Sequence, residues 1–193
     1  MRFRHSILIF VLASLPAGIL LAGSSEEATS PIAILYNDFL GWEAGEWDAT
    51  ISVLKADGSG MDHFVGQQID RLGACGSWLL TDLTLLASKP GEEVPPYAGH
   101  GVLGFDPAKE KLVGLWVDPV TNWLAAAEGT LSADGRTLML YVDGRHPATG
   151  EPMMRLFKTT KKSARHKHLE ISIPDGSGGQ LTIAEIDYER RSK

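Results

Sequence analysis

The stretch Tyr97–Asp118, YAGHGVLGFDPAKEKLVGLWVD, decides the fold prediction for this chain. Two apolar runs containing glycines flank the tetrapeptide Asp106-Pro107-Ala108-Lys109. Asp at the first position and Pro at the second are typical of a β-turn. The stretch therefore predicts a β-hairpin, and it contains no catalytic motif.

The rest of the chain repeats this pattern of short strands and turns. Trp47, Ala49 and Ile51 alternate with polar residues, which is the period of two of a half-buried strand. Turn sequences such as Asp57–Gly60 and Ala133–Arg136 recur along the chain. The pattern predicts about ten short strands in a single domain and no long helix.

An antiparallel sheet of this size must protect its edges, and closure into a barrel does so. We therefore predict an all-β fold, a single antiparallel barrel of about ten strands over residues 38–190. A two-sheet β-sandwich is the alternative. A closed barrel of this size can hold one small ligand.

The N-terminal residues predict export. Residues 1–24 combine Arg2 and Arg4, an apolar run and small residues at the end, as in a signal peptide. An uncleaved anchor is the alternative, although the apolar run is short for a membrane span. We expect a periplasmic or extracellular protein without stable membrane association after cleavage. Residues 25–37 are predicted to form a tether, in which Pro31–Tyr36 could open a short helix or lie across a barrel end.

Composition excludes some classes of partner and makes no prediction about oligomeric state. The formal net charge is −6, and it falls to about −8 when the two arginines of the signal peptide are removed. Nucleic acids and anionic lipids favour basic proteins, so neither is an expected partner. Cys75 is the single cysteine, so no disulfide forms within the chain. We interpret it as a turn or buried thiol.

Several segments together resemble a known family. They are Gly41–Trp47, Gly99–Asp106, Trp116–Asp118, Glu128–Leu131, Pro147–Pro152 and Tyr188–Arg190. In this order and spacing they resemble the bacterial family called domain of unknown function 1579. The resemblance implies a lipocalin-like (calycin) β-barrel in which the tryptophan of Gly45-Glu46-Trp47 packs at the closed end. Ligand binding is implied only by analogy, since distant barrel relatives bind fatty acids, bilins or haem.

His100 lies in a glycine-rich segment that leaves space around it. Inside a barrel, its imidazole could ligate haem iron or hold a polar head group. The alternative is a structural histidine that forms a hydrogen bond to a neighbouring strand. Haem is therefore a possible cofactor only if His100 faces the interior.

Arg155 alternates with Met153, Phe157 and Thr159 on a predicted strand. An interior arginine could clamp a carboxylate with two hydrogen bonds. It could equally form a structural ion pair or lie on the outer surface. The residues that could form an aromatic lining of the barrel are Trp78, Trp116, Tyr141 and Phe157.

The pattern His166-x-His168-x-Glu170 places two imidazoles and a carboxylate on one face of a strand. Such a set could share a metal ion. Leu169 and Ile171 occupy the other face, which predicts that the histidines point outward and bind no metal. The sequence contains no Gly-x-Ser-x-Gly elbow, and its glycine runs precede no helix.

Three functional hypotheses follow. The first, which we favour, is an exported barrel that binds a small, largely apolar ligand, one that could carry a carboxylate. The second is a haem-binding or enzymatic barrel that uses His100. The third is a barrel filled by its own side chains that serves as a structural or interaction domain.

Overall fold

The computed structural model describes residues 30–192 apart from 75, 88–92, 94–95, 121–122 and 146–148. The predicted signal peptide and Cys75 therefore lie outside the described residues. One helix precedes ten strands: α1 (Pro31–Glu43), β1 (Gly45–Leu54), β2 (Met61–Leu72), β3 (Trp78–Leu86), β4 (Ala98–Asp106), β5 (Lys111–Val117), β6 (Ala125–Leu131), β7 (Thr137–Arg145), β8 (Pro152–Lys161), β9 (His166–Pro174) and β10 (Gln180–Arg190).

The ten strands form one closed antiparallel barrel. Each strand pairs with its neighbour in the sequence, and β1 closes the ring by pairing with β10, for example through Ile51 opposite Ile186. Closure leaves no sheet edge to be covered. The predicted barrel is confirmed, and the alternative of a two-sheet sandwich is wrong.

Helix α1 closes one end of the barrel. Pro31 starts the helix at a position where its missing N–H costs no hydrogen bond. Tyr36, Phe39 and Leu40 are buried against residues at that end, Leu79, Leu112, Leu131 and Leu138. The Leu131 N–H donates to the Tyr36 hydroxyl at 3.1 Å. The proposed boundary between a tether and a domain at residues 37 and 38 therefore falls inside a helix that belongs to the core.

Trp47 packs beside α1 at the closed end of the barrel. Its side chain is fully buried, and its indole Nε1 donates to the Glu43 carbonyl at 2.9 Å. The Arg190 guanidinium stacks on the ring with its central carbon 4.1 Å from the ring centroid. The expected packing of this tryptophan at the closed end is confirmed, which leaves the other end of the barrel as its mouth.

Candidate ligand-binding site

The barrel encloses a cavity of about 220 Å³ that extends from α1 toward the mouth. Its middle is apolar, lined by Leu83, Leu103, Leu140, Phe157, Leu169 and Ile186. A second cavity of about 130 Å³ shares Trp116, Leu140 and Phe157 with the first. An engineered cavity of about 150 Å³ binds benzene, so the interior has room for a molecule of about that size or slightly larger.

A wider groove lies outside the interior, at the rim of the mouth. It has a volume of about 690 Å³ and is lined by residues that include Leu85, Pro96, His100 and Val117. Small-molecule sites bury most of the surface of their ligand. This groove is open to solvent along its length, so the interior is the better candidate site.

Trp116 forms part of the wall between the two cavities, and two glycines of β4 make room for it. A Cβ atom at Gly101 would lie 2.7 Å from the indole, and one at Gly99 would come closer still. The indole Nε1 donates to the Asp118 carboxylate at 2.9 Å. The side chain is therefore held at both its face and its edge.

Arg155 reaches the cavity from β8. Its guanidinium lies 5.6 Å from the centroid of the Phe157 ring, and its Nη2 donates to the Asp143 carbonyl at 3.1 Å. Gly144 on the adjacent strand leaves room for the side chain, since a Cβ there would lie 2.6 Å from Arg155 Nε. That Nε is buried and has no hydrogen-bond partner among the described residues.

Four residues form a polar group at the mouth, which we call the mouth cluster: Tyr97, Trp116, Asp118 and Arg155. Burial, reinforced by the negative charge of Asp118, raises the pKa of Tyr97 to about 12. Burial lowers the pKa of Arg155, and the charge of Asp118 opposes that shift. The charge of Arg155 is thus partly offset by a carboxylate of the same cluster.

A second polar group, the floor cluster, lies at the closed end and consists of Glu43, Gln68, Asp70, Thr81 and Lys167. The Lys167 ammonium bonds to the Glu43 carboxylate and, at 3.2 Å, to that of Asp70. Asp70 also accepts from Gln68 Nε2 at 2.8 Å and from the Thr81 hydroxyl at 2.6 Å. The Lys167 and Asp70 side chains are 2% and 0% exposed, so these charges interact with little screening by water.

The Lys167 ammonium is also surrounded by aromatic rings. It lies 4.4 Å from the centroid of Trp47 and 4.8 Å from that of Tyr188. Burial raises the pKa of Glu43, although the charge of Lys167 opposes the shift. The two carboxylates and two rings occupy the surroundings of the ammonium, which ties α1 to β2 and β9.

The model of the family described as Protein of unknown function (DUF1579) matches residues 37–190. The chain belongs to the DUF1579 family. The matched range covers all ten strands and the last part of α1. No curated protein matches the sequence.

The solved structures that share the fold of this DUF1579 protein include the following two. An S-type phycobiliprotein lyase, CPES from Guillardia theta, is 13% identical with a TM-score of 0.53, over 81% of this chain and 92% of the lyase chain. Rv2717c from M. tuberculosis is 13% identical with a TM-score of 0.58, over 84% of this chain and 99% of its own. Both fit a calycin-like barrel, and at this identity they show the fold alone.

Three of the six predicted ligand-binding residues are brought together in the interior: Trp116, Arg155 and Phe157. His100 does not face the interior, and its contacts fit the alternative of a structural histidine that bonds to a neighbouring strand. Its side chain is 60% exposed on the outer face, where Nδ1 lies 2.7 Å from the Asp82 carboxylate. Asp82 also pairs with Arg71. A role that requires His100 to face the cavity, including ligation of a haem inside the barrel, therefore has no support in this geometry.

Trp78 and Tyr141 are also misplaced by the sequence prediction. Trp78 is partly exposed and covers Gly104 on the outside of the barrel. Tyr141 is exposed, between the inward-facing Leu140 and Val142. Neither side chain lines the interior cavity.

The residues that could share a metal ion on β9 and β10 differ from the predicted set His166, His168 and Glu170. His168 and Glu170 lie near each other with Glu185, and their ligand atoms fall within 4.8 Å of one another, but His166 does not join them. His168 Nδ1 is 2.8 Å from Asp187, and Glu170 pairs with Lys158 at 2.7 Å. These ion pairs use the outer face of the barrel, and Lys158 competes with a metal ion for Glu170.

The floor cluster is the part of the site that the sequence prediction missed. A signal was present for Lys167, because it shares the face of β9 that carries the core residues Leu169 and Ile173. The polar composition of β2, with Gln68 and Asp70, was a second signal. No sequence signal indicated the pairing of Lys167 with Glu43, because the two residues are 124 positions apart.

Within the described residues, no helix is both long enough and apolar enough to cross a membrane.

Proposed function

We propose that this DUF1579 protein is an exported protein that binds a small, largely apolar molecule inside its barrel. The observation that carries the proposal is the interior cavity of about 220 Å³, with an apolar middle between two polar clusters. Ligand sites have this character, a mainly apolar wall with a few placed polar groups. The shared fold with a phycobiliprotein lyase supports a barrel that receives a small molecule.

The volume limits the ligand. Pockets for drug-sized molecules measure about 300–1,000 Å³, and the main cavity is smaller. Together with the second cavity of about 130 Å³ it reaches the lower end of that range. The two cavities are adjacent, since Trp116, Leu140 and Phe157 line both. We therefore expect a ligand of one ring or a short chain, well below the size of a haem.

Native mass spectrometry of protein purified from its own host tests this proposal. Leu140 lines both cavities on the inner face of β7, and Leu80 of β3 is exposed on the outer face. Leu140→Trp should fill the interior and abolish a retained small molecule that the native protein carries. Leu80→Trp is the matched control and should retain it. Empty native protein in repeated preparations, or a ligand that persists in Leu140→Trp, would contradict the proposal.

A filled barrel that serves as a structural or interaction domain is the second candidate. The modest volume of the interior supports it, as do the apolar side chains exposed on the outer face, among them Leu80, Leu115 and Tyr141. Under this candidate, Leu140→Trp would not change the mass of what the protein carries, because no preparation would contain a ligand. The mass spectrometry experiment therefore separates the two.

Export is proposed from Arg2, Arg4 and the apolar run of residues 1–24. Fractionation of cells that produce the full chain, with the mass of the mature protein, tests it. Recovery outside the cytoplasm with loss of about 24 residues supports export. Recovery of the full-length chain in the cytoplasm would overturn it.

A further inference from the structure

Arg155 brings an unused hydrogen-bond donor to the wall of the interior cavity. Its side chain lines the cavity, and its Nε is buried without a hydrogen-bond partner among the described residues. Trp42 Nε1 has the same property, but Trp42 lies outside the set of residues that line this cavity. A buried donor that forms no hydrogen bond loses its hydration without compensation, and such groups are rare in proteins. The Arg155 Nε–H group therefore marks a place for an acceptor atom.

The surroundings of Arg155 hold its guanidinium in place but leave Nε unsatisfied. The Nη2 atom donates to the Asp143 carbonyl at 3.1 Å, and the guanidinium lies 5.6 Å from the centroid of the Phe157 ring. On the adjacent strand, Gly144 offers no side chain, and a Cβ there would collide with Nε. Because bulk water does not reach this buried atom, an acceptor has to come from the interior that Arg155 lines.

Asp118, the carboxylate of the mouth cluster, is engaged with other donors. One of its oxygens accepts from Trp116 Nε1 at 2.9 Å, and the other accepts from the Val120 N–H at 2.8 Å. Burial, together with the charge of Asp118, raises the pKa of Tyr97 to about 12, so this neighbouring hydroxyl stays protonated at pH 7. Asp118 thus offsets the charge of Arg155 without accepting from its Nε.

The charges around the cavity do not restrict the acceptor to an anion. In the mouth cluster, the positive charge of Arg155 and the negative charge of Asp118 offset each other. At the floor cluster, the Lys167 ammonium is bonded to both Glu43 and Asp70, so it is not open to a ligand. An uncharged carbonyl and a carboxylate both offer the acceptor oxygen that Arg155 Nε lacks, and an ionised donor strengthens the bond to either.

We propose that the ligand of this barrel carries a carbonyl or carboxylate oxygen that accepts a hydrogen bond from Arg155 Nε, with its apolar body between Trp116 and Phe157. This inference rests on the proposed function, because it names the class of ligand for the same cavity. It requires one donor of Arg155, and not the clamp with two hydrogen bonds that the sequence suggested, since Nη2 already donates to Asp143.

Three probes of similar shape test the inference: acetophenone, benzoate and α-methylstyrene. Each contains one aromatic ring, which suits the volume of the interior. Acetophenone has an uncharged carbonyl, benzoate has a carboxylate, and α-methylstyrene has a carbon atom in place of the oxygen of acetophenone. Binding to the purified protein is measured at pH 7 by calorimetry. We expect at least one oxygen probe to bind about tenfold more tightly than α-methylstyrene or better, and the tighter of the two distinguishes an uncharged from an anionic ligand.

Nuclear magnetic resonance of the arginine Nε–H groups reports on the donor itself. The resonance of Arg155 is assigned by its absence from the spectrum of Arg155→Lys. Addition of the tighter oxygen probe should move this proton resonance downfield, as expected for a new hydrogen bond. Addition of α-methylstyrene, which has no acceptor, should not.

Variants of two arginines separate the donor from the shape of the cavity. Arg155→Met removes the donor and keeps a side chain of similar length, so it should still bind α-methylstyrene and should lose the preference for the oxygen probes. Arg145→Met is the matched control. Arg145 also donates to a backbone carbonyl, that of Gly150 at 3.1 Å, and lies over an aromatic ring, that of Trp123, but it is exposed. Its replacement should leave the preference unchanged.

The outcomes distinguish the inference from the proposed function. Equal binding of all three probes to the native protein, or a preference for oxygen that survives in Arg155→Met, would overturn the inference. The proposed function would then stand, because the interior would still bind an apolar molecule. Failure of all three probes to bind would overturn the proposed function, and the inference with it.

Discussion

Trp116 occupies the interior because the neighbouring strand carries glycines where other residues would collide with it. A Cβ at Gly101 would lie 2.7 Å from the indole, closer than carbon atoms approach in packed cores. The hydrogen bond from Trp116 to Asp118, 2.9 Å long, fixes the ring in the mouth cluster. The space left by two glycines thus determines where the wall of the cavity lies.

Gly101→Ala tests this arrangement. The new methyl group should displace the indole, lower the free energy of unfolding by about 1–3 kcal/mol and change the fluorescence of Trp116. Urea denaturation followed by fluorescence measures both effects. Gly41→Ala is the matched control, because a Cβ at this helical glycine meets nothing within 4 Å. It should stabilise the protein by about 1 kcal/mol through helix propensity. Equal effects of the two substitutions would contradict the role of Gly101.

Tyr97 gives a direct report on the electrostatics of the mouth cluster. Burial and the charge of Asp118 raise its pKa to about 12. The folded state therefore holds this proton more tightly than the unfolded state, whose phenol ionises near pH 10. Stability from this group is complete below about pH 10 and is lost as the pH rises toward 12.

Absorbance titration of the phenolate in the native protein and in Tyr97→Phe isolates this tyrosine. The difference between the two curves should titrate near pH 12, and in Asp118→Asn the transition should move to lower pH. Circular dichroism on the same samples confirms that the fold persists through the range used. A transition near pH 10 in the native protein would show that Tyr97 is neither buried nor close to the charge of Asp118.

At the scale of elements, α1 acts as the closed end of the barrel and the floor cluster fastens it. Lys167 of β9 bonds to Glu43 at the last position of α1 and to Asp70 of β2. Removal of one member of a buried ion pair leaves an uncompensated charge, which costs more than the pair contributes. The floor cluster is therefore a point of high sensitivity between three elements.

Lys167→Met should lower the free energy of unfolding by about 3–5 kcal/mol, because two buried carboxylates lose their cation. Lys158→Met is the control. Lys158 pairs with Glu170 at 2.7 Å but is 46% exposed, so its loss should be about 0–1 kcal/mol. Glu43→Gln combined with Lys167→Met should cost less than the sum of the single substitutions. Urea denaturation of the four variants measures these energies, and additive, equally small losses would show that α1 is held by apolar packing alone.

Predictability from sequence also differs between elements. Strand β1 was predictable because Trp47, Ala49 and Ile51 alternate with exposed residues. The orientation of His100 was not predictable, because Gly99 and Gly101 on the opposite face of β4 have no side chains to mark it as interior. Trp78 and Tyr141 were misplaced because the outer face also carries apolar side chains such as Leu80 and Leu115. Helix α1 was left open as an alternative, since its packing depends on residues far along the chain.

At the scale of the whole molecule, closure of the barrel pairs the edges of all ten strands, and the interior is left as the space for a ligand. Ten antiparallel strands form the closed barrel, and α1 closes one end of it. The polar residues of the interior lie in two clusters separated by apolar side chains. A small molecule with an apolar body and a polar end matches this distribution.

The central claim is that this interior holds a small ligand. A crystal structure of the protein purified from its own host tests it most directly. We predict electron density for a small molecule between Trp116 and Phe157, with its polar end at the mouth cluster. An interior without such density, with Trp116 and Arg155 closing over the space, or a bound molecule found only in the outer groove beside His100, would contradict the claim.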